Sequence, residues 1–201
     1  LPELLVDLNN PGLISPSLLF KTNKEVWLEI GFGAGEHLAD QAQRHPETGF
    51  IGCEPYINGV ARLLSEIKHK SLNNILLYND DARLLLEKLA PNSISKVFIL
   101  FADPWPKKRH HRRRFINREN LNALSRVMKS HANIRFATDD MGYVRWALNM
   151  FYHHPNFDWL VDGPDDWHNC YVDALQTRYE KKAIEQGQKC IYLTFQRGSR
   201  K

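Results

Sequence analysis

Long apolar runs are missing from the 201 residues, and no stretch approaches the eighteen or more needed to span a bilayer. No signal peptide is expected, because Leu1-Pro2-Glu3 opens the chain with neither a basic nor an apolar region. A membrane-spanning helix is thereby excluded, and a cytoplasmic protein is expected. Cysteine is scarce: Cys53, Cys170 and Cys190 are odd in number and far apart, with no Cys-x-x-Cys or Cys-x-x-His grouping. That spacing excludes a zinc knuckle and a vicinal redox pair, so reduced thiols are expected. The pairs His110-His111 and His153-His154 show no metal-ligand spacing to acids or cysteines, and no metal is expected. Internal repeats are absent. The chain opens on Leu1 rather than methionine, so a processed or trimmed N-terminus is expected.

What is present is an ordinary globular composition, 43% hydrophobic and 25% charged, with length enough for one domain around a sizeable core. The charge is unevenly spread. Between Pro106 and Arg118 stand Lys107, Lys108, Arg109, Arg112, Arg113, Arg114 and Arg118, with no acid among them. The other 20 of the 27 cations face 23 acids, a remainder of −3, so the net +4 resides in this one block. Such a block draws polyanions by counterion release, and seven phosphate contacts would give a log-log salt slope of roughly −6.

Residues 1–24 carry Pro2, Pro11, Pro16 and the turn-like Asn9-Asn10-Pro11-Gly12, and read as an irregular arm ahead of a single domain over 25–201. From Glu25 onward, short runs rich in β-branched and aromatic residues alternate with longer amphipathic stretches. Strands are expected near 25–30, 49–53, 74–78, 96–101, 133–137, 157–161 and 189–196. Helices are expected near 35–44, 56–70, 82–89, 117–128, 140–153 and 177–186. This order predicts an α/β fold, a mostly parallel seven-stranded sheet with helices on both faces. The last two strands lack a clear long helical crossover and are expected to form an antiparallel edge. Trp146, Met150 and Phe151 recur at helical spacing and read as core.

In open sheets of this class ligands bind beyond the carboxyl ends of the strands. After the first strand comes Glu29-Ile30-Gly31-Phe32-Gly33-Ala34-Gly35, either a plain strand-to-helix turn or a loop that brings backbone against a ligand. The sixth position of the dinucleotide fingerprint is Glu36, not Gly or Ala, which argues against NAD or FAD. Acids near the loop oppose a pyrophosphate but favour a ligand bearing an ammonium and a sulfonium, S-adenosylmethionine. At the end of the second strand, Glu54 can accept two hydrogen bonds from ribose hydroxyls, and after the third come Asp80 and Asp81, which can accept from an adenine amino group. Singly each acid reads as a solvated loop charge; three after successive strands make a set. The fourth strand runs into Phe101-Ala102-Asp103-Pro104-Trp105-Pro106 and then the cationic block. Asp103 stands at the lip of the site, two prolines stiffen the loop, and Trp105 offers a face for stacking a base. Thr177-x-x-Glu180 also spells a helix capping box, with Gly187 to end that helix.

Asp103-Pro104-Trp105-x-Lys107-x-x-His110, joined to Leu28-Glu29-Ile30-Gly31-Phe32-Gly33-x-Gly35, resembles the bacterial tRNA (guanine-N7-)-methyltransferases, a branch of the class I, Rossmann-like methyltransferase fold. Ala137-Thr138-Asp139 and Thr177-Arg178-Tyr179-Glu180 agree with it, and the similarity runs from about residue 25 to the C-terminus. The resemblance implies that Glu29, Glu54, Asp81 and Asp103, with the loop glycines Gly31, Gly33 and Gly35, contact S-adenosylmethionine or the catalytic centre. It implies tRNA contacts for Lys107, Asp139 and Thr177 to Glu180, and the variable-loop guanine, position 46 in tRNA numbering, as target. Lys108, Arg109, Arg112, Arg113 and Arg114 are then expected on the RNA backbone, and the histidine pairs on the surface or facing RNA. No membrane or obligatory protein partner is implied. Tyr179 stands where the family commonly has Phe, and only Lys21 and Lys24 represent the family's longer basic arm.

Guanine N7 carries an in-plane lone pair, so attack on a sulfonium methyl needs no prior deprotonation. In-line positioning is the expected source of rate. Asp103 is expected either to stabilise the positive charge that develops or to accept from guanine N1–H and the exocyclic amine, with Asp139 as second candidate for that edge. Two other readings share parts of this pattern: a class I methyltransferase for a small molecule or protein, and a non-enzymatic RNA-binding module of the same fold.

Overall fold

The computed structural model describes residues 2–9, 11–20 and 25–199; Lys21 and Lys24 lie outside the described residues. Seven strands form one sheet: β1 (Val26–Ile30), β2 (Gly49–Cys53), β3 (Ile75–Tyr78), β4 (Ile94–Leu100), β5 (Met128–Thr138), β6 (Phe157–Leu160) and β7 (Ile191–Arg197). Their order is β3-β2-β1-β4-β5-β7-β6. Helices α1 (Glu36–Arg44), α2 (Ile57–His69), α3 (Ala82–Lys88), α4 (Arg118–Val127), α5 (Met141–Tyr152), α6 (Asp165–His168) and α7 (Arg178–Glu185) connect them.

Burial explains why these stretches are strands. All five residues of β1 and of β2 are buried, as expected for parallel strands covered on both faces. Alternate side chains enter opposite cores. Val26, Leu28 and Ile30 join Leu85, Leu121, Leu124 and Val144 under α3, α4 and α5. Trp27, Phe50 and Phe98 join Leu38, Ala42, Val60 and Leu63 under α1 and α2 on the other face. Phe151 is fully buried against the first of these cores, and Trp146 and Met150 pack on it partly buried.

Strands β1 to β5 pair in parallel, and β7 runs antiparallel to both β5 and β6. Antiparallel pairing is thus found at the expected edge, with the reversed strand β7 one place in from the border strand β6. Ile191, which opens β7, lies opposite Thr138 at the tip of β5. The chain between β6 and β7 therefore begins and ends on the strand-tip side, which carries α7 to the mouth of the sheet. β5 begins five residues before its expected start, directly after α4. The polar 129–131 stretch hides this extension from an apolar pattern, and a register shift between the Ile94–Met128 and Lys96–Asn133 pairs absorbs it.

The described part of the arm is irregular but anchored. Val6 N–H donates to Leu77 O at 2.8 Å and Ile14 N–H to Lys88 O at 2.7 Å, and both side chains enter the core.

Candidate active site

The sheet order reverses direction between β1 and β4, which opens a crevice at the strand tips. A cavity of about 750 Å³ occupies it, lined from the tips of β1, β2, β3 and β4 and from the start of α7. Gly31 (φ +73°) and Gly33 (φ +59°) turn the chain out of β1 in a conformation that other residues adopt only with strain. Gly31 N–H donates to Cys53 O at 2.8 Å, tying the loop to β2.

Glu54 is buried beneath this loop. One carboxylate oxygen accepts from Gly33 N–H at 2.9 Å and the other from Tyr56 N–H at 2.9 Å. Its orientation is fixed, and each oxygen keeps a lone pair for a ligand hydroxyl. At the next tip, Asp80 and Asp81 both line the cavity. Asp81 caps α3 by accepting from Arg83 N–H at 3.0 Å and takes Arg83 Nε at 2.8 and 2.9 Å on its two oxygens. The hydrogen bonds from Arg83 hold the Asp81 carboxyl below the usual carboxylate range. Burial pushes the Cys53 thiol, in the same wall, far above its ordinary value, which leaves it protonated and unreactive.

The β4 tip supplies Phe101, Asp103 and Trp105. Phe101 (φ +52°) and Trp105 (φ +44°) both sit in the left-handed region, a cost of order 1–3 kcal/mol each that concentrates at functional loops. The Arg113 guanidinium lies 4.8 Å over the Trp105 ring, and the His110 ring meets the same indole in a T-shaped contact at 5.8 Å between centroids. The cationic block winds as a short 3₁₀ turn over Lys108–Arg113. Lys107, Lys108, Arg109 and Arg112 are exposed on its rim. Acids at the tips of β2, β3 and β4 thus share one cavity whose outer lip is basic and aromatic.

Residues 23–193 match the model of a family described as putative methyltransferases. The chain is 44% identical over 198 residues to the tRNA (guanine-N(7)-)-methyltransferase of Chelativorans sp. (strain BNC1), covering 98% of this chain and 85% of that protein. It is 46% identical over 198 residues to the enzyme of that name from Bartonella quintana (strain Toulouse), covering 97% and 85%. The chain belongs to the tRNA (guanine-N7-)-methyltransferase family. Its fold is also that of an rRNA methylase from Streptococcus thermophilus (TM-score 0.60, 10% identity, 88% of each chain covered). The 16S rRNA methyltransferase KamB is similar at a TM-score of 0.59 and 16% identity, covering 88% of this chain and 89% of that one. The sheet is accordingly the class I methyltransferase fold.

The residues that the family resemblance singled out divide in this structure. Gly31, Gly33, Glu54, Asp81, Asp103, Arg178 and Tyr179 line the cavity. Lys107 stands outside it, and Asp139 sits half-exposed beyond the β5 tip. Gly35 (φ +81°) serves packing, since a Cβ there would meet Leu63 at 2.7 Å. Glu29 is 3% exposed and pairs through Oε2 with His37 Nδ1 at 2.7 Å, behind the cavity wall.

Two expectations require correction. Arg114 does not face RNA: it is 2% exposed, donates from Nε to Pro104 O at 2.7 Å, and lies over the Tyr143 and Trp146 rings at 5.2 and 5.3 Å. Two aromatic faces on α5 and the Pro104 carbonyl of the loop hold it inside, where it fastens the lip to the core. His154 is likewise buried rather than superficial; its Nε2 lies 3.0 Å from Asn122 Oδ1, and its Nδ1 accepts from Asn156 N–H at 3.3 Å.

The capping box is half made. Thr177 Oγ1 accepts from Glu180 N–H at 3.2 Å, but Glu180 Oε1 accepts from the Tyr192 hydroxyl at 2.5 Å instead of reaching back. Thr177 and Glu180 are both buried, so half of the four-residue motif seats α7 while Arg178 and Tyr179 face the cavity. Gly187 (φ +72°) ends α7 as expected, with Gly187 N–H to Ile184 O and Gln188 N–H to Ala183 O both at 2.9 Å.

Sequence reasoning missed Gly59, which packs against Gly33 and Glu54, and the cavity-lining Arg83 and Phe115, and placed Arg113 on the RNA backbone although it lines the cavity. A glycine inside the first turn of α2 was the legible signal for the first. Among the described residues no group of three or more His, Cys, Asp or Glu could hold a metal ion, and no helix is long and apolar enough to cross a membrane.

Proposed function

We propose that this protein transfers the methyl group of S-adenosylmethionine to N7 of guanine 46 in the tRNA variable loop, in the cytoplasm. The observation that carries the reading is the junction described above: Glu54, Asp80 and Asp81 line the same cavity as Asp103 and Trp105, and the cationic block frames its opening.

The residues fit that donor. Glu54, fixed by two backbone amides, suits the ribose hydroxyls, and carboxylates suit a ligand with two cationic centres better than a pyrophosphate. When bound, the donor supplies an electrophilic methyl. The chain's part is orientation. Trp105 and its Arg113-covered ring stack the base, and Asp103 at the lip accepts from the guanine edge or stabilises the positive charge that accrues on the purine. Holding the reactants in line contributes several kcal/mol of the barrier, and no group needs to remove a proton first. A stacked target base leaves its place at a cost of about a few kcal/mol, which phosphate contacts by Lys107, Lys108, Arg109 and Arg112 offset.

Incubation with labelled S-adenosylmethionine and unmodified tRNA, followed by nucleoside digestion, should yield 7-methylguanosine mapped to position 46. Label in any other nucleoside, or none, rejects the reading. Asp103→Asn should slow single-turnover transfer by about 100-fold or more with donor affinity retained, and an unimpaired rate would remove Asp103 from the mechanism.

A further inference from the structure

The methyl donor is an α-amino acid at one end, and its carboxylate requires a partner that no residue discussed so far provides. Among the described residues three cations line the cavity: Arg83, Arg113 and Arg178. Arg83 is committed to both oxygens of Asp81 at the β3 tip. Arg113 lies over Trp105 at the lip, on the side of the target base. Arg178 is placed differently, as the first residue of α7 at the glycine-loop end of the cavity.

Its surroundings hold it there without spending most of its donors. The guanidinium spreads 4.9 Å over the Tyr179 ring and donates from Nη2 to the phenolic oxygen at 3.1 Å. That ring in turn rests on the loop, where a Cβ added to Gly33 would meet its Cε2 at 3.0 Å. On the other side Glu36, the first residue of α1, approaches Arg178 Nε at 4.0 Å, beyond hydrogen-bond reach. A guanidinium offers five N–H groups in a planar fork that matches a carboxylate. Next to it begins α1, nine residues long and capped by Gly35 with no side-chain hydrogen bond, and the free amides of its first turn offset the Glu36 charge in that corner.

We propose that Arg178 binds the carboxylate of the methyl donor's amino-acid end. The assignment rests on the S-adenosylmethionine reading of the cavity and moves Arg178 from a tRNA contact to a donor contact. A ligand held at its ribose by Glu54 and at its carboxylate by Arg178 is fixed on both sides of its sulfonium, which orients the methyl group between them. Tyr179 is the plate on which the guanidinium lies, and the loop glycine beneath it leaves room for the ring.

Calorimetry on the full chain with two nucleosides tests this directly. S-adenosylhomocysteine keeps the carboxylate, and 5′-methylthioadenosine lacks the amino-acid end altogether. Arg178→Ala should weaken the first by about 10- to 100-fold and leave the second within about twofold, and Arg178→Lys should recover part of the loss. Affinity for tRNA and its salt slope should stay at wild-type values. Unchanged S-adenosylhomocysteine binding with a salt slope shallower by about 0.9 would make Arg178 a phosphate contact and overturn the proposal. Equal weakening of both nucleosides would also overturn it, by showing only that α7 has shifted. If the wild-type chain binds neither nucleoside, the donor reading itself fails and this assignment falls with it.

Discussion

Neighbouring arginines in the cationic block have opposite fates, and the difference is decided by partners far away in sequence. Arg112 is exposed, Arg113 lines the cavity, and Arg114 is buried against Tyr143 and Trp146. Tyr143 also accepts from Ile116 N–H at 3.2 Å, and burial pushes its phenol up to about 12, so it stays neutral as a fixed acceptor. Arg114→Ala should therefore cost about 2–3 kcal/mol in urea unfolding, because it strips two ring contacts and leaves the Pro104 carbonyl without its donor. Arg112→Ala should change stability by no more than about 0.5 kcal/mol and instead make the salt slope of tRNA binding shallower by about 0.9. The reverse pattern would show that the lip is arranged otherwise. Charge counting made all these residues equivalent; only the tertiary placement of α5 separates them.

Among the elements, the approach of α2 to the glycine loop sets the shape of the cavity floor. A Cβ on Gly59 would stand 2.0 Å from Gly33 O and 3.2 Å from Glu54 Cγ. At an unclashed helical position glycine-to-alanine stabilises by roughly 1 kcal/mol. Here the sign should invert, and Gly59→Ala should lower stability by about 1–3 kcal/mol and weaken S-adenosylhomocysteine binding, read by thermal melting and calorimetry. A stabilised variant with unaltered binding would mean that the helix does not rest on the loop. The elements themselves were legible, because buried parallel strands read as continuous apolar runs and their tips follow from α/β order. Side-chain direction was not. Glu180 lies at capping-box spacing yet bonds to Tyr192, twelve residues on, and Glu29 turns behind the wall to His37. The short α6 escaped notice, since four residues are too few to show a helical period.

Across the molecule, charge is polarised in keeping with one nucleic-acid face. Residues 146–177 contain no Lys or Arg, and Asp158, Asp162, Asp165, Asp166 and Asp173 fall within them. Polyanions are thus drawn to the lip and repelled from the β6 edge. Stability carries its own pH signature. Burial, with Arg118 nearby, holds the His154 imidazole below its ordinary 6.5. The unfolded chain then binds the proton more readily, so the contribution is complete above about pH 6.5 and is lost as pH falls toward the depressed folded value. His154→Gln should flatten that part of the urea-midpoint profile below about pH 6.5; an unaltered slope would assign the acid sensitivity elsewhere.

The reversed strand has one practical outcome. Because β7 starts opposite Thr138 at the β5 tip and runs down to Gln196 opposite Asn133, Gly198 and Ser199 lie at the end of the sheet remote from the strand-tip cavity. Purification handles or fluorescent fusions appended there should leave substrate entry unobstructed.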